Sequence, residues 1–473
     1  MKILFATSEA YPFAMSGGLA DVSGALPKAL RARLVGARVI MPLYDTIPQQ
    51  LRDTMKFITS VTVPVSWRRQ YCGIFEAKYD GVIYYLLDNQ YYFKRGSLYG
   101  HYDDAERFAF FSRAVLEVIK VIDYTPDVIH CNDWQTALIP VYLHLFYLGE
   151  PKLSNVKTLF TIHNIQYQGK FGEEILCDVF GIPERDKHLL QYGDCINLMK
   201  GAIECAHAIS TVSPTYAEEI LTPWFSFGLD GILNERKWKL HGIVNGIDTK
   251  VYDPETDPMI FAPFSVDEMS GKEKNKAELQ KYFGLEQNPD IPLVAMVTRL
   301  VSHKGLDLVK ARLDAIMQFG IQMVILGSGD YEYESFLNEA AERYPNNLRL
   351  RTGFIPDLAH KIYAGSDIFL MPSKSEPCGL SQMVALRYGS IPIVRATGGL
   401  KDTISDSGLG EGNGFVFENY NADDMAHAVY RAVEGYHNHE GWAQLVERAM
   451  RCDNSWGASA NAYIKLYKSI IAG

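Results

Sequence analysis

The sequence predicts an α/β protein made of two doubly wound parallel domains, and three observations carry that expectation. The chain has 473 residues, too many for one ordinary domain. Short β-branched runs recur that are apolar almost throughout, as strands covered on both faces by helices are. The series of such runs occurs twice, with a turn-rich seam between.

In the first half the runs are "KILFAT", "ARVIMPLY", "VIYYLLD", "DVIHCND", "TLFTIH" and "HAISTVS". Between two of them, residues 104–122 place Phe108, Phe111, Val115, Val118, Ile119 and Ile122 at helical spacing. The seam is "KLHGIVNGIDTKVYDPETDP", residues 239–258, with Asn245-Gly246 and two prolines. Beyond it come "PLVAMVTRL", "IQMVILGSGD", "NLRLRTGF", "DIFLMPS" and "IPIVRA". We therefore expect an N-terminal Rossmann-like domain over 1–244, a C-terminal one over 245–454 and a terminal helix over 455–473. Two such domains facing each other would leave a cleft at the carboxyl ends of their strands, where these folds bind ligands.

Composition narrows the function. A net charge of −10 argues against nucleic-acid or anionic-membrane partners, which need a cationic face, but leaves room for a nucleotide in a local cationic pocket. The seven cysteines form no CxxC pair and no zinc-like spacing, so reduced, buried thiols in a cytoplasmic protein are expected. No secretory leader and no run long enough to span a bilayer is read. The oligomeric state is not encoded in any of these patterns.

Three stretches could carry chemistry. In "VTRLVSHKGLD", Arg299 closes a strand and Lys304 follows five residues on, so the two could clamp a diphosphate; a solvated loop fits the same spacing. In "MPSKSEPCGLS", Glu376 follows a strand and precedes a helix start, where free N–H groups suit phosphate oxygens. There Glu376 could bind sugar hydroxyls or simply stabilise the first helical turn. "HCNDWQTAL" and "FTIHNIQYQG" put Asp133 and His163 at strand ends, with a structural histidine the alternative to a catalytic one. Two glycine pairs, Gly17-Gly18 in "AMSGGLADV" and Gly398-Gly399 in "TGGL", follow strands in the two halves. GxSxG, HExxH and the P-loop are all missing, which counts against a hydrolase triad, a zinc protease and an ATPase.

Together "SGGLADVSGALPKAL", "HCNDWQTAL", "TIHNIQYQG", "STVSPTYAEEI", "FGLDGIL", "VNGID", "TRLVSHKGLDL", "LGSGD", "PSKSEPCGLSQMVALRYGSIPIVRATGGLKDT" and "NGFVF" run in one order along nearly the whole chain. In this the sequence resembles the bacterial glycogen synthase and plant starch synthase family of retaining glucosyltransferases. The resemblance implies a GT-B fold, with two Rossmann-like domains across a deep cleft and the last helix crossing back to the first domain. It implies transfer of glucose from ADP-glucose to the non-reducing end of an α-1,4-glucan, with no metal and no cofactor beyond the donor.

By the same resemblance Arg299 and Lys304 match the pair that holds the donor diphosphate, and Glu376 and His163 match residues at the donor sugar. Cys378, Gly379, Leu380, Thr397, Gly398 and Gly399 match the donor loops, and Asp21, Asp133 and Asn245 match polar positions lining the cleft. One position departs. The family's first glycine loop reads Lys-x-Gly-Gly, whereas here Met15 stands before Ser16-Gly17-Gly18. Losing one charge-assisted contact costs on the order of 1–3 kcal/mol, so the expectation is an active enzyme whose loop works through its N–H groups and the helix end. The rival readings are a GT-B transferase using UDP-glucose and a non-catalytic glucan- or nucleotide-binding paralogue impaired at Met15.

Overall fold

The computed structural model describes residues 1–473, apart from the side chain of residue 409. The chain divides into two compact units, Met1–Gly246 with Trp456–Gly473, and Ile247–Ser455. Each is a sheet wrapped by helices.

The first unit holds a nine-stranded sheet. Its strands are β1 (Lys2–Ala6), β2 (Gly36–Pro42), β3 (Lys56–Val65), β4 (Arg68–Tyr79), β5 (Val82–Asp88), β6 (Val128–Asn132) and β7 (Lys157–Ile162). After a small antiparallel sheet of β8 (Lys170–Phe171), β9 (Gln191–Tyr192) and β10 (Cys195–Asn197) come β11 (Ala208–Thr211) and β12 (Leu240–Gly242). The order is β12-β11-β7-β6-β1-β2-β5-β4-β3. All pairs are parallel except β3·β4 and β4·β5. The β3–β4 ribbon was not among the apolar runs, because both strands are largely open to solvent and mix polar with apolar residues.

The terminal helix Trp456–Ala472 belongs to this unit. Tyr467 hydroxyl lies 2.7 Å from His130 Nδ1 in β6, Ser459 Oγ donates to Val244 O at 2.6 Å, and Arg33 Nε donates to Asn461 Oδ1 at 2.8 Å. The aromatic positions of "NAYIKLYKSII" are thus its buried face.

The second unit is a six-stranded, wholly parallel sheet. Its strands are β13 (Leu293–Val297), β14 (Gln322–Gly327), β15 (Leu348–Thr352), β16 (Ile368–Met371), β17 (Ile391–Arg395) and β18 (Phe415–Phe417). The order is β15-β14-β13-β16-β17-β18.

Both sheets reverse direction of winding at one place. In the first unit the chain builds outward from β1 and returns to place β6 on its other side; in the second it does the same at β13 and β16. Such switch points leave a crevice at the carboxyl ends of the two adjacent strands. Gly17, Gly18, Asp133, Arg299, Lys304 and Glu376 follow those strands, whereas His163, Asn245 and the 397–399 turn follow β7, β12 and β17.

Candidate active-site residues in each unit

In the first unit the chain leaves β1 through Thr7, Ser8 and Glu9, turns back on Ala10, and enters the helix Gly18–Arg31 through the glycine loop. Phe13 and Ala14 N–H both donate to Ala10 O, at 2.9 and 3.0 Å. Met15, Ser16, Gly17 and Gly18 are exposed, and a Cβ on either glycine would meet nothing within 4 Å. Asp21, one turn on, is also at the surface. Beneath the loop Glu9 is only 3% exposed, and its carboxylate accepts the Ser16 N–H. Burial pushes that carboxyl up to about 7 although Ser16 and Gly17 donate to it.

Across the switch point, Asp133 follows β6 with φ 55°, a left-handed backbone rare for a side chain other than glycine or Asn/Asp. Its own N–H donates to Thr161 O at 3.0 Å. Its Oδ1 accepts the N–H of His163 at 2.8 Å and of Asn164 at 3.4 Å, so it ties the end of β6 to the end of β7. Burial, with the charge of Glu9 adding to it, pushes this carboxyl to about 7.

The His163 ring is set from behind. Asn132 Nδ2 donates to Ala6 O and His130 O at 3.0 and 3.2 Å, which turns Asn132 Oδ1 toward His163 Nε2, 2.8 Å away. That contact assigns the proton to Nε2 and leaves Nδ1 as a lone pair. Burial lowers the imidazole to about 3, so the ring is neutral at pH 7. Asn245, near the end of the unit, is 5% exposed, and among the described residues its Oδ1 has no hydrogen-bond partner.

In the second unit Arg299 is exposed just beyond β13, and Lys304 ends a short 3-10 turn, Ser302–Lys304. Gly305 then has φ 78°, and a Cβ there would lie 2.0 Å from Pro372 O. That close approach, with Lys374 N–H donating to His303 O at 2.9 Å, holds the post-β13 turn against the post-β16 turn. Lys304 Nζ thereby reaches both carboxylate oxygens of Glu376, at 2.9 and 2.7 Å. Ser373 Oγ donates to the same carboxylate at 2.9 Å. Burial would raise Glu376, which is 7% exposed, but the Lys304 ammonium and the Ser373 hydroxyl outweigh it and hold the carboxyl below its usual range. Arg395, at the end of β17, donates to Ser373 O at 2.9 Å and also to Lys374 O, bracing the turn from the far side.

The second glycine pair differs from the first. Thr397, Gly398 and Gly399 are buried, and Cβ atoms on the glycines would lie 2.0 Å from Glu376 O and 2.1 Å from Cys378 O. Gly399 N–H already donates to Glu376 O and Pro377 O, at 3.2 and 3.1 Å. These glycines let two stretches of backbone pack, unlike the open pair at 17–18. Cys378 is buried; Gly379 and Leu380 are half-buried, with Gln382 Nε2 donating to the carbonyls of Cys378 and Gly379 at 3.1 and 3.0 Å. The thiol expectation is corrected too: Cys72, Cys131 and Cys378 are buried, but Cys177 is exposed and the other three are intermediate, all seven being free. Among the described residues no group of three or more His, Cys, Asp and Glu could hold a metal ion, and no helix is long and apolar enough to cross a membrane.

Sequence reasoning passed over Glu9, Asn132, Ser373 and Arg395. Glu9 and Ser373 follow strands that end at a switch point, and Asn132 and Arg395 are polar residues closing apolar strands. Those positions are the signal that was available.

Two Rossmann-like units, each with charged residues gathered at its switch point, define the GT-B class of glycosyltransferases. The family model for the starch synthase catalytic domain matches residues 2–235, and that for group 1 glycosyl transferases matches residues 280–449. The chain is 53% identical to a glycogen synthase from Bacillus cereus over the full length of both. It is 52% identical to one from Geobacillus stearothermophilus, covering 98% of that protein. The catalytic domain of starch synthase IV from Arabidopsis thaliana, solved bound to ADP and acarbose, superposes with a TM-score of 0.92 at 36% identity, over 100% of this chain and 99% of that one. A sucrose-phosphate synthase from Thermosynechococcus elongatus, 17% identical with a TM-score of 0.63, shares the fold. The chain belongs to the glycogen synthase and starch synthase family and is a glycosyltransferase.

Proposed function

We propose that the protein transfers glucose from ADP-glucose to the non-reducing end of an α-1,4-glucan, with retention of configuration, in the cytoplasm. The observation that carries this reading is the Lys304–Glu376 ion pair at the switch point of the second unit, with Arg299 exposed beside it. Bond cleavage separates a cation-like sugar carbon from a departing diphosphate. The largest gain therefore comes from positive charge already fixed where that diphosphate forms. Arg299 and Lys304 supply it. Glu376, kept ionised, accepts hydrogen bonds from donor-sugar hydroxyls, and the N–H groups of Gly379 and Leu380 face donor oxygens while Gln382 holds the carbonyls on the other side of that turn.

In the first unit a neutral His163 hydrogen-bonds the sugar rather than adding charge, and Asp21, Asp133 and Asn245 present polar atoms to sugar hydroxyls. No protein nucleophile is invoked. The acceptor hydroxyl attacks on the face the diphosphate leaves, and the leaving phosphate takes its proton. The reaction so described needs no metal and no organic cofactor. The relatives act on or are named for glycogen and starch, and one was solved with ADP, which supports the adenine donor and the glucan acceptor.

The test is incorporation of labelled glucose into glycogen by purified protein offered ADP-glucose and UDP-glucose separately. Transfer from ADP-glucose in preference supports the reading. Preference for UDP-glucose replaces the donor, and no incorporation from either alongside measurable glucan binding makes the protein a binding paralogue.

A further inference from the structure

Loops that cradle anions do so by turning successive backbone N–H groups inward. In the glycine loop of this chain two successive N–H groups, of Ser16 and Gly17, turn onto one internal carboxylate. Glu9 is buried under the loop and accepts the Ser16 N–H, with the Gly17 N–H and the Ser16 hydroxyl directed at the same carboxylate. The anchor is rigid: Thr7 Oγ1 donates to Glu9 O at 2.8 Å and bonds Ser23 Oγ in the following helix at 3.0 Å. Above it the loop is exposed, and neither Gly17 nor Gly18 is required by space or by a left-handed φ, since Gly17 is extended at φ −168°.

We propose that Glu9 is a positioning residue for the donor: its carboxylate is the resident anion of the glycine loop, fixing Ser16 and Gly17 so that the N–H groups left over, from Gly18 onward at the start of the helix, face the donor diphosphate. This rests on the functional reading above for the identity of the donor, and on geometry alone for the loop. It also revises how the loop works without a lysine at position 15. Two of its N–H groups are already spent inside the protein, so the loop is shaped by a charge below it.

The groups facing Glu9 are acids and phenols: Asp21 from the helix, Asp133 from the end of β6, and Tyr44 and Tyr99, all coupled to its charge. Burial first, and then the charge of Asp21, favour the protonated form, so the grip on the loop weakens as pH falls through about 7.

Hydrogen exchange of the free protein over residues 14–19 tests the loop without reference to activity. For Glu9→Ala we expect exchange at Ser16 and Gly17 to rise at least tenfold and the donor KM to rise by about an order of magnitude, with the glucan KM within twofold of the parent. Glu9→Gln keeps an acceptor oxygen and the volume of the side chain, so it retains most of the protection and donor affinity. It also loses the pH dependence of exchange that remains in the parent after correction for the intrinsic rate. If Glu9→Ala does not fold, the flattened pH profile of Glu9→Gln decides alone. Unchanged exchange in the alanine variant, an unchanged pH profile in the glutamine variant, or a rise in glucan KM matching that in donor KM overturns the proposal. A protein that transfers no glucose defeats the functional reading and leaves the exchange result to stand or fall by itself.

Discussion

Replacing Asp133 by asparagine should stabilise the protein at pH 8 and do much less at pH 5. The carboxyl is displaced from an ordinary 3.8 to about 7, first by burial and then by the neighbouring charge of Glu9. Because the folded form holds its proton more tightly than the unfolded chain, the group supports the fold below pH 3.8, and that support is lost as pH rises through about 7. At about 1.4 kcal/mol per tenfold change in proton affinity the full displacement is worth about 4 kcal/mol, of which about 2.7 is lost between pH 5 and pH 8. The side chain is half-buried, so screening reduces this to about 1–2 kcal/mol. Asparagine is the informative substitute. Its Oδ1 can still accept the N–H groups of His163 and Asn164, and it tolerates the left-handed backbone at φ 55°. Thermal unfolding should show a Tm gain at pH 8 exceeding that at pH 5 by several degrees, at about 2–4 °C per kcal/mol. Equal shifts at both pH values, or a loss at pH 8, would refute the reasoning and place the carboxylate in a favourable interaction.

The two glycine pairs should separate cleanly. Gly398→Ala and Gly399→Ala drive a Cβ into the carbonyls of Glu376 and Cys378 and should lower Tm by many degrees, whereas Gly17→Ala and Gly18→Ala should leave Tm within a degree, so any activity they lose is lost at a ligand. Glu376→Gln strands the largely buried Lys304 ammonium and should cost about 3 kcal/mol; adding Lys304→Met should recover stability but not transfer, as a double-mutant cycle would show. In the parent the Glu376 carboxyl is held low, so the pair's support is present above the unfolded value near 4.5 and is lost as pH falls below it, which acid unfolding of Glu376→Gln against the parent would register. Met15→Lys, at a position 47% exposed, should leave Tm unchanged and lower the donor KM; an unchanged KM would put position 15 away from the diphosphate.

Much of this architecture can be read from the chain because parallel strands are buried on both faces and announce themselves as apolar runs. β3 and β4 escaped for the same reason inverted: "KFITSVTVPV" is mostly exposed and mixes polar with apolar residues, and a search for continuous runs passes over it. Arg299, Lys304 and Glu376 were legible because they follow strands, and strand ends are where such sheets bind ligands. What the sequence could not convey was which neighbours they meet. "SGGL" and "TGGL" look alike, yet one pair is open and the other is filled by backbone from a segment some twenty residues earlier. Glu9 was illegible because a buried, unpaired glutamate is rare, and its role depends on a loop folding back over it.

The charge in this protein is allotted by unit, and the allotment follows the chemistry. The second unit's switch point carries Arg299, Lys304 and a carboxylate held ionised by that lysine. The first unit's carries Glu9 and Asp133, both pushed toward neutrality, and a histidine that burial keeps uncharged at pH 7. A diphosphate, with charge that grows as its bond to sugar breaks, is served directly by the first set. Sugar hydroxyls are served well by neutral acids and a fixed imidazole lone pair, which donate and accept without demanding a counter-charge. On this allotment a cation at position 15 would sit near acids that favour it. On the proposed function, Met15→Lys would change donor affinity alone, whereas substitution of Lys304 or Glu376 would remove transfer.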